Sequence, residues 1–161
     1  GVTLDPVEGI TAAVGFTNDY AGNNGLTVSA KADVAKLAGL DFALAATGEM
    51  MLDIDASTTV ITADVATTIE GIGLWAAYQK TAADVNKMAV KASYSTKVNE
   101  VTVGAGVKFA VTDLSDLANK YEVTVDGSAS YAMGGVTYAL AADYKVKAQA
   151  LTIKPTVAIS F

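Results

Sequence analysis

The sequence predicts an all-β fold, an up-and-down antiparallel sheet, and three observations predict it. Ten runs along the chain alternate apolar and small or polar side chains with a two-residue period, the pattern of strands whose two faces meet different media. Within these runs the charged residues keep to one parity. Finally, the chain has 52% hydrophobic residues and a mean hydropathy of +0.36, yet offers no helical span. Its longest uncharged stretch, residues 127–142, is broken by Gly134-Gly135. That is shorter than the ~18 apolar residues a membrane helix requires, and it reads as a hairpin.

The elements follow in order. Ile10, Ala12, Val14 and Phe16 oppose Thr11, Ala13, Gly15 and Thr17. Leu26, Val28, Ala30, Ala32 and Val34 then oppose Thr27, Ser29, Lys31 and Asp33. The third run opens with Leu40, Phe42, Leu44 and Ala46 and keeps its parity through Met50, Leu52, Ile54 and Ala56. Next come Ile61, Ala63, Val65, Thr67 and Ile69, then Ile72, Leu74, Ala76 and Tyr78, then Met88, Val90, Ala92 and Tyr94. Val101 to Phe109, Tyr121 to Tyr131 and Val136 to Val146 continue the rule at every second residue. The tenth run, residues 151–161, sets Leu151, Ile153, Pro155, Val157, Ile159 and Phe161 against Thr152, Lys154, Thr156, Ala158 and Ser160. A second reading takes residues 29–48 as an Ala-rich helix with Val34, Leu37, Leu40 and Leu44 on one side. The unbroken parity on both flanks favours strands.

Charge placement suggests what the apolar parity faces. The polar parity carries eleven acids and seven lysines, and no charge lies mid-strand on the apolar one. Lipid demands this, since a Lys at the bilayer midplane costs a barrel about 2 to 4 kcal/mol. The core of a soluble sandwich demands it too. Aromatic position separates the two. Phe16, Tyr20, Tyr78, Phe109, Tyr121, Tyr131, Tyr144 and Phe161 lie at or near strand ends, where membrane barrels place interfacial rings. Most runs also reach the about 9 to 11 residues of a tilted membrane strand. The connections alternate between long (residues 18–25, 48–58, 80–86 and 111–120) and short (36–39, 70–71, 98–99 and 133–135), as in barrels with short periplasmic turns and longer outer loops. Both termini are then expected on the short-turn side.

The inward face is expected to be lined by Lys31, Asp33, Asp64, Glu70, Trp75, Lys87, Lys91, Lys108, Glu122, Asp126, Asp143 and Lys145. Trp75, the single tryptophan, falls on this parity. It either points inward or is turned into the aromatic girdle by a bulge. A ten-strand barrel lies near the size whose interior is filled by side chains, whereas a larger barrel leaves an aqueous channel. In a larger barrel the excess of acids over lysines favours cations.

Composition excludes several functions. The net charge is −6, with no arginine and no histidine, so no basic footprint for nucleic acid exists. Without His or Cys there is no imidazole base, no conventional triad and no thiolate or imidazole zinc site; the chain is not expected to be an enzyme. Asp53 and Asp55 share a parity, but carboxylates on a loop-side extension are ordinarily solvated. Asn18, Asp19, Asn23 and Asn24 cluster without EF-hand spacing, and Asn24-Gly25 reads as turn chemistry. Thr112 or Asp113 can cap a short helix carrying Leu114, Leu117 and Ala118. No metal and no cofactor is expected.

The terminal pattern, residues 151–161 ending on Phe161, resembles the C-terminal signal of bacterial outer-membrane β-barrels. The long Ala-, Thr- and Val-rich strands, with few aromatics and Lys as sole base, are similar to the barrels of S-layer-associated porins of deinococci. The resemblance implies residues 1–161 to be one antiparallel transmembrane β-barrel domain of about ten strands, or the C-terminal part of a larger barrel. It implies a bacterial outer-membrane location, with the lipid bilayer and the barrel-assembly machinery, engaged through the terminal strand, as partners. Homo-oligomers are a further possibility it opens. The function it implies is a pore or envelope anchor for passive passage of small solutes or ions. A soluble β-sandwich adhesin or S-layer structural module is the other class the alternation admits. The chain opens at Gly1 without an initiator Met, so it is read as processed or partial.

Overall fold

In a computed structural model, which describes residues 1–18 and 24–160, the alternating runs become strands of one antiparallel sheet. The order is β1 (Val2–Val7), β2 (Ile10–Asn18), β3 (Asn24–Asp33), α1 (Val34–Ala38), β4 (Ala43–Asp53) and β5 (Thr58–Ile69). It continues with β6 (Ile72–Lys80), β7 (Asn86–Val98), β8 (Val101–Val111), β9 (Tyr121–Met133), β10 (Val136–Lys145) and β11 (Ala150–Ile159). Each strand pairs with its sequence neighbours, and β1 and β11 stand at the two edges. The chain's two prolines, Pro6 and Pro155, fall in these edge strands, where a missing N–H costs least.

The sheet holds eleven strands, one more than the alternation predicts. The extra strand is β1, six residues long, with a register irregularity between Leu4 and Val7. Pro6 breaks its alternation, which hides it in the sequence. Its presence also moves the first residues to the end of the sheet with the longer connections, while Ile159 closes β11 at the other end. The expectation that both termini share one end is thereby corrected.

The turn rhythm has a local chemical basis. Glu70-Gly71 and Gly134-Gly135 make two-residue turns with φ > 0 at both positions, the geometry whose twist matches paired strands. At Gly71, φ is +84° and a Cβ would come within 2.7 Å of the Ser95 carbonyl oxygen, so only glycine fits. Two expected connections differ. Residues 36–39 belong to a longer link in which Asp33 caps α1 by accepting from the Lys36 N–H at 3.0 Å, and Gly39 ends it in the left-handed region. Local capping therefore wins over alternation for Val34, Leu40 and Phe42. Conversely, β4 runs on to Asp53, leaving only residues 54–57 as a turn. There Asp53 accepts from the Ala56 N–H and Asp55 from the Asn24 N–H, which spends both carboxylates on chain reversal.

Register fixes which side chains share a face. Val14 opposes Val28, Val28 opposes Met50 and Met50 opposes Ile61; that row then meets Lys80 at the end of β6, and apolar pairs return with Val90 opposite Phe109 and Tyr144 opposite Leu151. Among the described residues only Ala35, Gly106 and Val111 are buried. Val65, Leu74, Val90, Val107 and Val125 are all more than 40% exposed or nearly so, and no second layer of described residues covers them. The accessible surface is 10719 Å². A folded monomer of 16.4 kDa should expose about 7,500 Å², so roughly 3,000 Å² awaits cover of some kind.

The strands are also staggered. One hydrogen-bonded row begins at Asp33, the last residue of β3, and passes through Ala45, Ala66, Trp75, Lys91, Lys108, Thr124 and Lys145. It ends at Ala150, the first residue of β11. The row therefore crosses from one end of the sheet to the other, a drift of about one residue per strand. With ~3.3 Å rise per residue and ~4.8 Å between strands, that drift corresponds to a tilt of about 35°.

Candidate functional site

The face opposite the apolar one gathers the charges, and it is the more enclosed of the two. Asp64, Trp75, Lys91, Lys108 and Asp126 are half-buried, whereas Val65, Leu74, Val90, Val107 and Val125 beside them on the apolar face are exposed, as when a sheet curves toward its polar side. No register break occurs across β5, β6 and β7, so Trp75 keeps its parity and faces this side, opposite Ala66 and Lys91. The bulge that would turn it onto the apolar face is absent, and Trp75 shares the polar face.

Register creates a conflict here and the side chains resolve it. Lys91 and Lys108 are directly opposed across β7 and β8, and like charges so placed repel. Lys91 reaches diagonally to Asp126 on β9, with Nζ 2.9 Å from Oδ1. Lys108 instead sets its ammonium 5.6 Å from the centre of the Trp75 ring, a cation–π arrangement. The diagonal passes over Gly106, where a Cβ would come within 2.8 Å of Asp126 Oδ2 and 3.0 Å of Lys91 Cε. Glycine thus makes room for the ion pair. Ser93 and Ser128 lie alongside Gly73 and Gly104 in the same way, each hydroxyl oxygen within 3 Å of where a Cβ would stand.

The remaining expected lining residues are placed as follows. Asp64 accepts from the Thr47 hydroxyl across β4 and β5. Glu122 accepts from the N–H groups of Val123, Lys147 and Ala148 at 3.1, 2.8 and 3.2 Å, fastening the 146–149 turn. Asp143 opposes Asp126, Lys145 opposes Thr124, Lys31 sits between Thr11 and Thr47, and Lys87 opposes Gln79. Two members stand apart from the wall itself. Glu70 occupies a turn, and Asp33 is committed to capping α1. Thr62, Asp64, Trp75, Gln79 and Lys87 help line a cavity of about 320 Å³ on this face. The sequence reading missed Thr47 and Gly106, because their roles arise only from cross-strand register.

The rings lie on the apolar face in two belts. Phe16, Tyr78, Phe109, Tyr121 and Tyr144 are near the end with the longer connections, and Tyr94, Tyr131 and Tyr138 near the other. Phe109 and Tyr121 stack with centroids 6.0 Å apart, and Lys147 Nζ lies 4.6 Å from the Tyr121 ring centre. The Tyr78 hydroxyl donates to Asn86 at 2.6 Å. Tyr20 and Phe161 lie outside the described residues.

The loop at 112–120 contains a single 3₁₀ turn, Leu114–Asp116, rather than a longer helix. Asp113 caps it, accepting from the Ser115 N–H and hydroxyl at 3.0 and 2.6 Å. These bonds hold its carboxyl below the usual carboxylate range. Asn18 and Asn24, two of the loop asparagines, hydrogen-bond one another.

No protein-family model, curated protein or solved structure matches the chain. Its function must therefore be argued from the two faces alone.

Proposed function

We propose that this chain is wall of a bacterial outer-membrane β-barrel, its apolar face against lipid and its polar face toward an aqueous lumen, acting as a pore or envelope anchor for small solutes or ions. The observation that carries this reading is the exposed apolar face, free of charge along its strand centres and framed by rings at both ends. In water such an area exceeds what a soluble monomer tolerates. In a bilayer it is the required surface.

Two magnitudes support the reading. The tilt of about 35° implied by the stagger lies at the edge of the range for membrane barrels. Tyr121 and Tyr131 in β9 are ten residues apart, about 33 Å along the strand and ~27 Å once tilted, against an apolar band of about 25 Å. In β10 the rings of Tyr138 and Tyr144 stand closer, so the belts have width. The polar face agrees as well. Its threonines, serines, glycines and charges of both signs suit water, not a dry core.

The test is heat-modifiable migration. The native protein carrying this chain is refolded into detergent and run on an SDS gel with and without boiling. A boiling-dependent shift is expected, because a closed barrel resists SDS. A chain that is monomeric in plain buffer and shows no shift would overturn the proposal.

A further inference from the structure

We infer that the hollow beside Trp75 is a subsite for a neutral sugar, a single pyranose ring held against the indole. This deepens the barrel-wall reading by naming a solute class, and it rests on that reading only for the sugar's passage. Binding itself needs no more than the sheet.

Trp75 is the only ring on the polar face of the described strands; every other strand ring lies on the apolar one. Lys108 meets it in the cation–π contact but does not line the hollow, which has a volume of about 320 Å³. The hollow exists because Ala77, Ala89 and Ala110 stand side by side on β6, β7 and β8. Two strand spacings make this floor about 10 Å across. Longer side chains rise around it. Trp75 bounds one side, Gln79, Lys87 and Thr112 the opposite one, and Thr62 and Asp64 the β5 flank. Pockets for small ligands begin at about 300 Å³ and combine apolar walls with a few polar groups.

A pyranose has an apolar C–H face and a rim of hydroxyls that both donate and accept. The indole offers a flat face of negative π density for the C–H groups. Around it, the Thr62 hydroxyl and the Gln79 amide both donate and accept, Lys87 donates, and Asp64 accepts. Thr62, Gln79 and Lys87 are half-buried and make no side-chain hydrogen bond or ion pair among the described residues. Thr47 steadies Asp64 by donating to one of its carboxylate oxygens. With one carboxylate and one ammonium in the lining, neither sign of ion is favoured. A wholly apolar ligand would leave the polar rim unpaired.

The test is tryptophan fluorescence of the detergent-refolded native protein titrated with methyl glucoside, read as the difference from Trp75→Phe, which removes the chain's single tryptophan. A saturable change is expected. Ala89→Leu, which fills the floor and keeps the reporter, should abolish it, and Gln79→Ala should weaken apparent affinity about five- to tenfold. The heat-modifiable band checks the folding of each variant. A folded native protein with no saturable change overturns the subsite and leaves the wall reading intact. So does a change that Ala89→Leu retains in full, since the sugar then binds elsewhere. An equal response to glycine or potassium chloride overturns the neutral-sugar assignment. A saturable change in native protein that lacks the heat-modifiable band supports the subsite and overturns the wall.

Discussion

The two faces of the sheet share one backbone and one register, yet they use opposite rules. On the apolar face the pairs are Val28 with Met50, Ala92 with Val107 and Tyr144 with Leu151, and among the described residues the only strand charge is Lys80, at the last position of β6. On the polar face Lys91 opposes Lys108 and Asp126 opposes Asp143, pairs that cost energy unless a diagonal partner relieves them. One face excludes charge, and the other collects it and spends glycines to arrange it. A soluble sheet hides its apolar side in a core; here that side is the exposed one. The difference teaches that one register can carry two opposite surface rules, which the proposed barrel assigns to lipid on the apolar side and water on the polar side.

The largest effect should come from reversing that rule at adjacent positions. Val90→Lys puts a charge on the apolar face at mid-strand and is expected to cost about 2 to 4 kcal/mol of stability in bilayers. Ala89→Lys, one residue away on the polar face, should cost less than about 1 kcal/mol. Urea titration of vesicle-refolded protein by Trp75 fluorescence measures both, and equal losses would break the comparison. Gly71→Ala follows, because it forces a Cβ against the Ser95 carbonyl at positive φ. A loss of about 1 to 3 kcal/mol is expected in the same titration. Asp126→Asn should be weaker still. The Lys91 and Asp126 side chains are about one-third exposed, and solvent screening limits such a pair to roughly 0.5 to 1 kcal/mol. Its stability loss should also shrink as salt is raised.

The smallest effect is confined to the 112–120 loop. Since the Asp113 pKa is lowered in the folded state, its bonds to Ser115 contribute above the ordinary carboxylate pKa and are lost as pH falls through the lowered folded value. The Ser115 amide should therefore lose exchange protection at acid pH relative to its neighbours. Asp113→Ala should remove that difference while leaving the sheet unchanged.

Much of the fold was legible because a two-residue period is a direct image of a two-faced strand. Val90, Lys91 and Ala92 announce their faces without help from any distant residue. The parts that were illegible depend on local or long-range competition. Residues 34–38 alternate well enough to pass for strand until Asp33 and Gly39 cap a helix. β1 is too short and too interrupted by Pro6 to show a period. For the site, the parity assigned Trp75 and the lysines to one face, but the diagonal from Lys91 over Gly106 to Asp126 requires the register of three strands.

The most direct measurement is a nitroxide scan along β7, residues 86–98, in the membrane-reconstituted protein, made clean by the absence of native cysteine. Labels at Met88, Val90, Ala92 and Tyr94 should be accessible to oxygen dissolved in lipid, and labels at Lys87, Ala89, Lys91 and Ser93 to a water-soluble nickel complex, with a two-residue period throughout. Apolar positions that are immobile and shielded from both reagents would show that protein, and not lipid, covers this face, and would contradict the account.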